Sequence, residues 1–158
     1  MNKSFINIGL ACGGTGGHIS PALALVDDFK NYNLNPHFFT DIRGSNLIKP
    51  YSYYLISSGS PSEKGIKKIF NILKIVYGIF QSAYFLYRNK INIVIGFGGY
   101  TSVPIVVAAK LLKIPLVIHE QNSILGRANR FCSMFCDKIA MSFDLKIKKK
   151  KPSKYVFT

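Results

Sequence analysis

The feature that most limits the fold of this chain is a glycine-rich turn, CGGTGGHISPA at residues 12–22, between an apolar run and a helix-like run. A second turn of the same kind, GFGGY at residues 96–100, again joins an apolar run to a predicted helix. Glycines let backbone N–H groups approach an oxyanion closely, and a helix start adds a positive partial charge. The two turns therefore predict strand–turn–helix units that hold an anionic ligand.

Strand-like and helix-like stretches alternate along the whole chain. Strands are predicted at residues 4–11, 37–40, 53–57, 91–96, 115–120 and 138–143, and helices at 20–30, 65–88, 102–112 and 126–136. Ser20 is a suitable N-cap for the first helix, and Pro21 suits its first turn. The alternation predicts an α/β fold, a Rossmann-like doubly wound parallel sheet with helices on both faces.

Three features fall at the same predicted edge of this sheet. They are the two glycine turns and the polar run HEQN, residues 119–122, which directly follows a buried strand. Ligands of such folds bind outside the carboxyl ends of the strands. We therefore expect one site to contain all three features.

The polar run admits more than one interpretation. A histidine or a carboxylate in a cleft can serve as a general base, and Asn122 can hydrogen-bond a sugar hydroxyl. A metal site would need His18, His119 and Glu120 to converge, and no metal-binding spacing supports it. Alternatively the run only anchors a loop, with Glu120 capping the helix near residue 126.

Two common phosphate-binding motifs do not match the first turn. A Walker A loop would need a lysine, and the dinucleotide fingerprint would place its last glycine at Ile19. Asp41 could take the place of the acid that binds the ribose in that fingerprint, but it lies too far along the chain for a good match. An NAD site is therefore the weakest of the functional hypotheses.

The size and the cysteine content are typical of a single cytosolic domain. The chain has 158 residues, enough for one α/β domain. Its three cysteines, Cys12, Cys132 and Cys136, show no disulfide or metal pattern and are predicted to be buried thiols. The N-terminal residues run straight into the first turn, so we interpret them as a strand and not as a signal peptide.

The charge balance favours anionic partners. Lysine and arginine number 21 against 7 acidic residues, a net charge of +14. Such a balance favours nucleic acid, acidic lipid or phosphorylated ligands, although a solvated basic surface gives the same total. The basic residues concentrate in residues 64–90 and in the tail, which contains Lys146, Lys148, Lys149, Lys150, Lys151 and Lys154.

The helix predicted at residues 65–88 has an apolar arc much wider than packing on one core requires. Its polar residues gather on the other side. Lys74 interrupts the apolar run, so we expect the helix not to span a membrane. Apolar excess and flanking lysines favour contact with a membrane surface, whereas the alternative is deep burial against the sheet and a neighbouring loop.

Four stretches in this order and spacing closely resemble the N-terminal domain of the MurG family of lipid I N-acetylglucosaminyltransferases. They are GGTGGHISPALAL, GFGGYTSVP, AAKLLKIPLVIHEQNSILGRANR and DKIAMSF, and the similarity runs through residues 4–143. The resemblance implies the N-terminal half of a GT-B fold, which has two Rossmann-like domains around a cleft.

The family moves N-acetylglucosamine from UDP-GlcNAc to the muramyl 4-hydroxyl of lipid I, with inversion, and makes lipid II for peptidoglycan. The resemblance implies an enzyme of this kind, peripheral on the cytoplasmic face of the bacterial inner membrane. It implies UDP-GlcNAc, lipid I and an acidic phospholipid surface as partners, no nucleic acid, and no metal or cofactor.

The resemblance also implies roles for particular residues. Activation of the acceptor hydroxyl falls to His18 or Glu120. Contacts with the donor sugar nucleotide fall to Thr15, Gly16, Gly17 and, on the GlcNAc, Asn122. The turn at Gly98, Gly99 and Tyr100 would hold the lipid I diphosphate or help to shape its site. The membrane contacts would be Lys67, Phe70, Lys74, Tyr77 and Tyr84.

The sequence departs from the family pattern at three places. The family usually has Ser-Gly-Pro where this chain has residues 102–104, SVP. Its glycine-glutamate element after the second strand is missing from DIRGSNLIKP, which could alter the acceptor site. Arg127 replaces a usually uncharged residue in the loop after HEQN.

Residues 1–143 are predicted to form the acceptor-binding domain. Residues 144–158 are predicted to be a basic segment and a last strand, leading toward a separate domain that supplies the uridine contacts. We therefore expect the 158-residue chain alone not to turn over UDP-GlcNAc. The alternative function is a catalytically silent module that binds membrane or anionic ligands.

Overall fold

The computed structural model describes residues 5–29, 31–49, 51–144 and 152–158, and its centre is one parallel sheet of seven strands. The strands are β1 (Ile6–Ala11), β2 (Leu34–Thr40), β3 (Tyr53–Leu55), β4 (Ile93–Gly96), β5 (Leu116–Glu120), β6 (Lys138–Met141) and β7 (Tyr155–Phe157). Their order across the sheet is β3-β2-β1-β4-β5-β6-β7, and every neighbouring pair is parallel. The predicted doubly wound parallel sheet is confirmed.

The connections between strands are mostly helical. The helices are α1 (Gly16–Phe29), α2 (Ile42–Ile48), α3 (Ile66–Arg88), α4 (Ser102–Leu111) and α5 (Arg127–Cys132), and a 3-10 turn covers Pro152–Lys154. The sheet separates two apolar cores. One contains Ile19 of α1, Ile48 of α2 and Phe38 of β2, and the other contains Leu86 of α3, Ile105 of α4 and Ile118 of β5. Helices therefore cover both faces, as the alternation predicts.

The start of α1 differs from the prediction. The helix begins at Gly16, so Ser20 is not its N-cap and Pro21 lies inside it. A proline at this position cannot donate to the carbonyl of Gly17, four residues earlier. The side-chain amide of Gln121 donates to that carbonyl instead, at 3.2 Å. A contact from a distant loop thus satisfies the group that the proline leaves unpaired.

Two shorter elements also differ from the prediction. Helix α2 was not predicted, and it forms because Asp41 caps it by accepting from the backbone N–H of Gly44 at 2.9 Å. Helix α5 ends at Cys132, four residues before the predicted end. Strand β7 extends the sheet beside β6, whereas the boundary at residue 143 stays a prediction.

Helix α3 has the expected bounds, but its polar side faces the protein. Gly78 and Ser82 are buried, and the N–H of Ser57 donates to the side chain of Gln81 at 2.9 Å. A Cβ at Gly78 would fall on the backbone carbonyl of Ser57, so only glycine lets the helix approach this loop. The small and amide residues of the polar stripe therefore pack against this loop, beside core residues such as Ile79 and Leu86, whereas the lysines of the stripe are exposed.

The apolar side of α3 faces outward. Phe70, Tyr77 and Phe80 are 58%, 60% and 70% exposed, which rules out burial of this face within the described part of the chain. By length and composition α3 is apolar enough to cross a membrane, so these two properties do not test the expectation drawn from Lys74. Its packing against α4 nevertheless keeps one side on the protein.

The three cysteines are buried free thiols, as predicted. Burial raises the pKa of Cys12 and of Cys132 to about 12. Both thiols are therefore protonated and unreactive near neutral pH.

The tail lysines at positions 146 and 148–151 lie outside the described residues, and Lys154 donates to the carbonyl of Ser133 at 2.7 Å.

Candidate active site

The two glycine turns and the HEQN run meet at one cleft of about 420 Å³. It lies at the carboxyl ends of β1, β4 and β5, where the parallel topology brings their following loops together. The predicted site residues that line it are Thr15, His18, Gly98, Gly99, Tyr100, Glu120 and Asn122. Gly16 and Gly17 lie next to it, exposed in the first turn of α1.

The glycine turns pack directly on each other. A Cβ at Gly13 would lie 2.8 Å from the hydroxyl of Thr101, and one at Gly99 would lie 3.0 Å from the carbonyl of Gly13. Gly98 and Gly99 also have positive φ angles of 95° and 75°, which favour glycine. These three glycines are thus explained by internal packing and backbone geometry.

Gly16 and Gly17 have no such internal explanation. A Cβ at Gly16 would meet nothing within 4 Å, and one at Gly17 would meet only the hydroxyl of Thr15 at 3.9 Å. Both occupy the start of a 14-residue helix, where the first N–H groups lack intrahelical partners. Glycine here gives a ligand close access to these N–H groups.

His18 is held in a defined orientation. Its Nδ1 lies 3.0 Å from the carbonyl oxygen of Phe97, which can only accept a hydrogen bond. In the neutral ring Nδ1 therefore carries the proton, and Nε2 is left as an acceptor. The ring also packs on the second turn, since a Cβ at Gly98 would lie 3.1 Å from Nδ1. His18 thus has the tautomer that a general base requires.

Gln121 also forms a hydrogen bond with the carbonyl of Phe97. Its Nε2 donates to the carbonyl of Phe97 at 2.8 Å and to that of Gly17 at 3.2 Å. One side chain therefore ties the start of α1 to the second glycine turn, on both sides of His18. The sequence indicated a polar cluster here but not this positioning role.

Glu120 is almost completely buried, with 1% of its surface exposed. One carboxylate oxygen accepts from the backbone N–H and the side-chain amide of Asn122, at 3.1 and 3.0 Å. The other accepts from the N–H of Gly126 and the side-chain amide of Asn129, both at 3.0 Å. Each oxygen thus has two donors already, the arrangement expected of the loop-anchoring alternative.

Asn129 is a site residue that the sequence analysis missed. It is 2% exposed, lines the cleft, and donates to the carbonyl of His119 at 3.0 Å as well as to Glu120. Its side-chain oxygen is buried without a partner in the described part of the protein. An unpaired buried acceptor costs stability, so a hydroxyl or N–H donor from a ligand would satisfy it.

Asp41 and Arg43 stabilise the first glycine turn, a role that the sequence did not indicate, and Arg43 lines the cleft. Asp41 accepts from the N–H of Gly14 at 3.1 Å and pairs with Arg43 at 3.0 Å. Burial alone would raise the pKa of Asp41, but the hydrogen bonds from Gly44, Gly14 and Arg43 hold it below its ordinary value. Asp41 therefore fixes the first turn and is not placed to bind a ribose.

The far wall of the cleft is held by Ser62. Its hydroxyl lies 2.9 Å from that of Tyr100 and accepts from the guanidinium of Arg127 at 3.4 Å. The hydrogen bond from Ser62 and the nearby charge of Arg127 lower the pKa of Tyr100. Two cations, Arg43 and Arg127, thus border a cleft with helix N–H groups at its edge.

His119 does not line the cleft. Its Nε2 lies 3.1 Å from the hydroxyl of Ser142, and its ring packs on Phe97. Burial lowers the pKa of this histidine. Among the described residues no group of three His, Cys, Asp or Glu side chains is placed to hold a metal ion.

The geometry predicts the tautomer of His18. In the neutral ring the proton should reside on Nδ1, because only that arrangement makes a hydrogen bond to the Phe97 carbonyl. The ¹⁵N chemical shifts of the histidine side chains measure it directly, with the variant His18→Gln used to assign the signal. A neutral His18 protonated on Nε2 would contradict the geometry.

Comparison with known proteins assigns the chain to a family. Residues 8–141 match the glycosyltransferase family 28 N-terminal domain. A UDP-N-acetylglucosamine--N-acetylmuramyl-(pentapeptide) pyrophosphoryl-undecaprenol N-acetylglucosamine transferase of Caldicellulosiruptor saccharolyticus is 38% identical over 151 residues, 91% of this chain and 41% of that protein. The protein of the same name from Wolbachia pipientis is 40% identical, over 94% of this chain and 42% of its own.

A solved structure agrees with these relatives. The crystal structure of Acinetobacter baumannii MurG superposes with a TM-score of 0.83 and 28% identity, covering 97% of this chain and 45% of that one. The chain thus spans about two fifths of the length of the curated relatives it matches.

Proposed function

The chain belongs to glycosyltransferase family 28, and we propose that it supplies the acceptor-binding half of a transfer of N-acetylglucosamine from UDP-GlcNAc to lipid I. The product is lipid II, and the step belongs to peptidoglycan synthesis. The relatives named for this reaction support the proposal. The cleft then closes against a second domain that binds the uridine part of the donor.

The orientation of His18 carries this proposal. Its neutral ring donates through Nδ1 to the Phe97 carbonyl, so Nε2 can take the proton of the muramyl 4-hydroxyl. The freed hydroxyl oxygen attacks the anomeric carbon of the donor GlcNAc, and UDP leaves with the electron pair of the broken bond. Attack from the face opposite the leaving group inverts the anomeric centre.

Glu120 acts as a positioning group and not as the base. Its oxygens already accept four hydrogen bonds and have no free lone pair aimed at a substrate. It holds the side-chain amide of Asn122, whose carbonyl oxygen then accepts from a hydroxyl of the GlcNAc. Of the two candidates for the base, the geometry favours His18.

The two glycine turns bind the phosphate groups of two different substrates. The N–H groups at Thr15, Gly16 and Gly17 approach the donor sugar nucleotide, which explains glycines that internal packing does not require. The turn at Gly98–Tyr100 binds the diphosphate of lipid I, and the neighbouring Arg127, which lines the same cleft, supports this assignment. Backbone N–H groups and a guanidinium are the usual phosphate partners.

Helix α3 attaches the domain to the cytoplasmic face of the inner membrane. Its outward aromatic residues, Phe70, Tyr77 and Tyr84, are all more than half exposed, and Lys67 and Lys74 stand beside them. An amphipathic helix of this composition lies in the interface of a membrane with acidic lipids. The acceptor is itself anchored in that membrane, so attachment brings the cleft to it.

The transfer reaction tests the proposal directly. Residues 1–158 are fused to the remaining part of the Caldicellulosiruptor relative, and radiolabelled GlcNAc transfer from UDP-GlcNAc to lipid I is measured. We expect the fusion to form lipid II, and His18→Ala to reduce the rate by about 10²-fold or more. His37→Ala is the matched control, because His37 does not line the cleft.

Two results would contradict the proposal. A folded fusion that binds membranes but makes no lipid II would favour the silent binding module. A His18→Ala fusion with a near-normal rate would remove the base assignment.

Membrane attachment has a separate test. The chain is sedimented with phosphatidylglycerol vesicles and with phosphatidylcholine vesicles. The variant Lys67→Gln/Lys74→Gln should bind the acidic vesicles about thirtyfold less tightly, since each of the two lysines contributes about 1 kcal/mol. Phe70→Ser/Tyr77→Ser should weaken binding to both kinds, and Tyr32→Ser, an equally exposed aromatic outside α3, should change neither. Unchanged binding of both α3 variants would show that α3 is not the membrane face.

A further inference from the structure

An apolar groove of about 350 Å³ lies between α3, the start of α4 and α5. Nothing in the reaction described above uses its apolar lining, to which α3 contributes Ile72, Ile75 and Val76 and α4 and α5 contribute Val103 and Phe131. Such a lining selects a hydrocarbon ligand over a sugar or a phosphate, because burial of apolar surface is its main source of affinity.

The groove is continuous with the candidate active site. Tyr100, Arg127 and Ala128 line both the groove and the polar cleft. Ser62 holds the first two of these side chains at the junction, at 2.9 Å from the Tyr100 hydroxyl and 3.4 Å from the Arg127 guanidinium. A cation therefore stands where the polar cleft passes into the apolar groove.

The other end of the groove reaches the membrane-facing side of α3. Ile72 and Val76 are 43% and 44% exposed, so they belong both to the groove and to the outward apolar surface of the helix. A chain that leaves the groove here passes directly onto the exposed apolar face. From cleft to helix, the surface is thus polar, then cationic, then apolar.

We propose that this groove binds the first isoprene units of the acceptor's polyprenyl chain, next to a diphosphate held at Arg127. The order of the three surfaces matches the order sugar, diphosphate and polyprenyl within one ligand. This assignment rests on the proposed function, and it adds a lipid-binding subsite that is distinct from the general attachment of α3 to the membrane. The remainder of the polyprenyl chain lies in the membrane beyond Ile72 and Val76.

The test uses the 158-residue chain and geranylgeranyl diphosphate below its micelle concentration, with calorimetry to measure binding. We expect geranylgeranyl diphosphate to bind at least about tenfold more tightly than inorganic diphosphate, since isoprene burial adds apolar contacts. The variant Ile72→Gln/Val76→Gln should remove most of that difference. Leu73→Gln/Phe80→Gln, on exposed positions of α3 outside the groove, should leave it within about twofold.

Arg127→Gln tests the junction. It should weaken both geranylgeranyl diphosphate and inorganic diphosphate by about tenfold, because a charge-assisted contact to phosphate is lost. Geraniol, which lacks the diphosphate, should be insensitive to this change. Equal weakening of geraniol would place Arg127 outside the diphosphate position and overturn that part of the assignment.

Three outcomes would overturn the assignment of an isoprene-binding site to this groove. Equal affinities for geranylgeranyl and inorganic diphosphate would leave no isoprene site. Equal losses in the two double variants would assign the binding to the outer face of α3. If the chain binds no probe but self-associates, and Ile72→Gln/Val76→Gln abolishes that self-association, the groove would be assigned to a second copy of the chain. Because this assay contains no UDP-GlcNAc, a fusion that binds the probe but transfers no sugar contradicts the proposed function alone.

Discussion

The site depends on a single backbone carbonyl, that of Phe97. It accepts hydrogen bonds from Nδ1 of His18 and from the side chain of Gln121, and so joins the two glycine turns to the HEQN run. The parallel sheet makes this possible, because β1, β4 and β5 all end at the same edge. The packing of the glycine turns brings the carbonyl within reach, and the ring of His18 is left with one free acceptor nitrogen. Orientation, tautomer and position of the proposed base thus come from one small set of contacts.

Helix α3 follows a different rule from the other helices. Its uncharged polar residues pack against the loop at residues 57–60 beside core residues such as Leu86, and a second, broad apolar side faces outward. A domain surrounded by water would gain stability from covering that side, since buried apolar surface is the main favourable contribution to folding. The uncovered apolar side has a physical reason if a membrane replaces water there. The apolar groove then connects this face with the polar cleft, so that one amphiphilic acceptor can contact both.

The sequence predicted those parts of the fold that depend on local pattern. Strand and helix alternation gave the parallel sheet, and α3 had the expected bounds, because periodicity and apolar runs determine these elements over short distances. The predicted start of α1 was wrong because Pro21 resembles a first-turn residue. The hydrogen bond that makes this proline acceptable inside the helix comes from Gln121, about a hundred residues away. No local signal could reveal that contact.

The candidate site was predictable to a similar extent. His18 and Gly98 were predicted to lie in one cleft because the loops after parallel strands meet at the same edge of the sheet. Asn129 and the observed role of Asp41 were missed because both depend on tertiary partners: Gly14 lies 27 residues from Asp41, and Asn129 reaches Glu120 from the next helix. The four donors around Glu120 are likewise a tertiary property, and they favour the loop-anchoring role among the interpretations that the sequence left open.

The most direct test of the central claim is an amide NMR titration of the chain with a soluble, short-chain analogue of lipid I. If the carboxyl edge of the sheet is the acceptor site, the largest shift changes will lie at residues 13–18, 97–101 and 120–129. Smaller changes are expected at the groove positions of α3. Changes centred on the opposite edge, at residues 89–92 and 113–115, or no change at saturating analogue, would contradict the account.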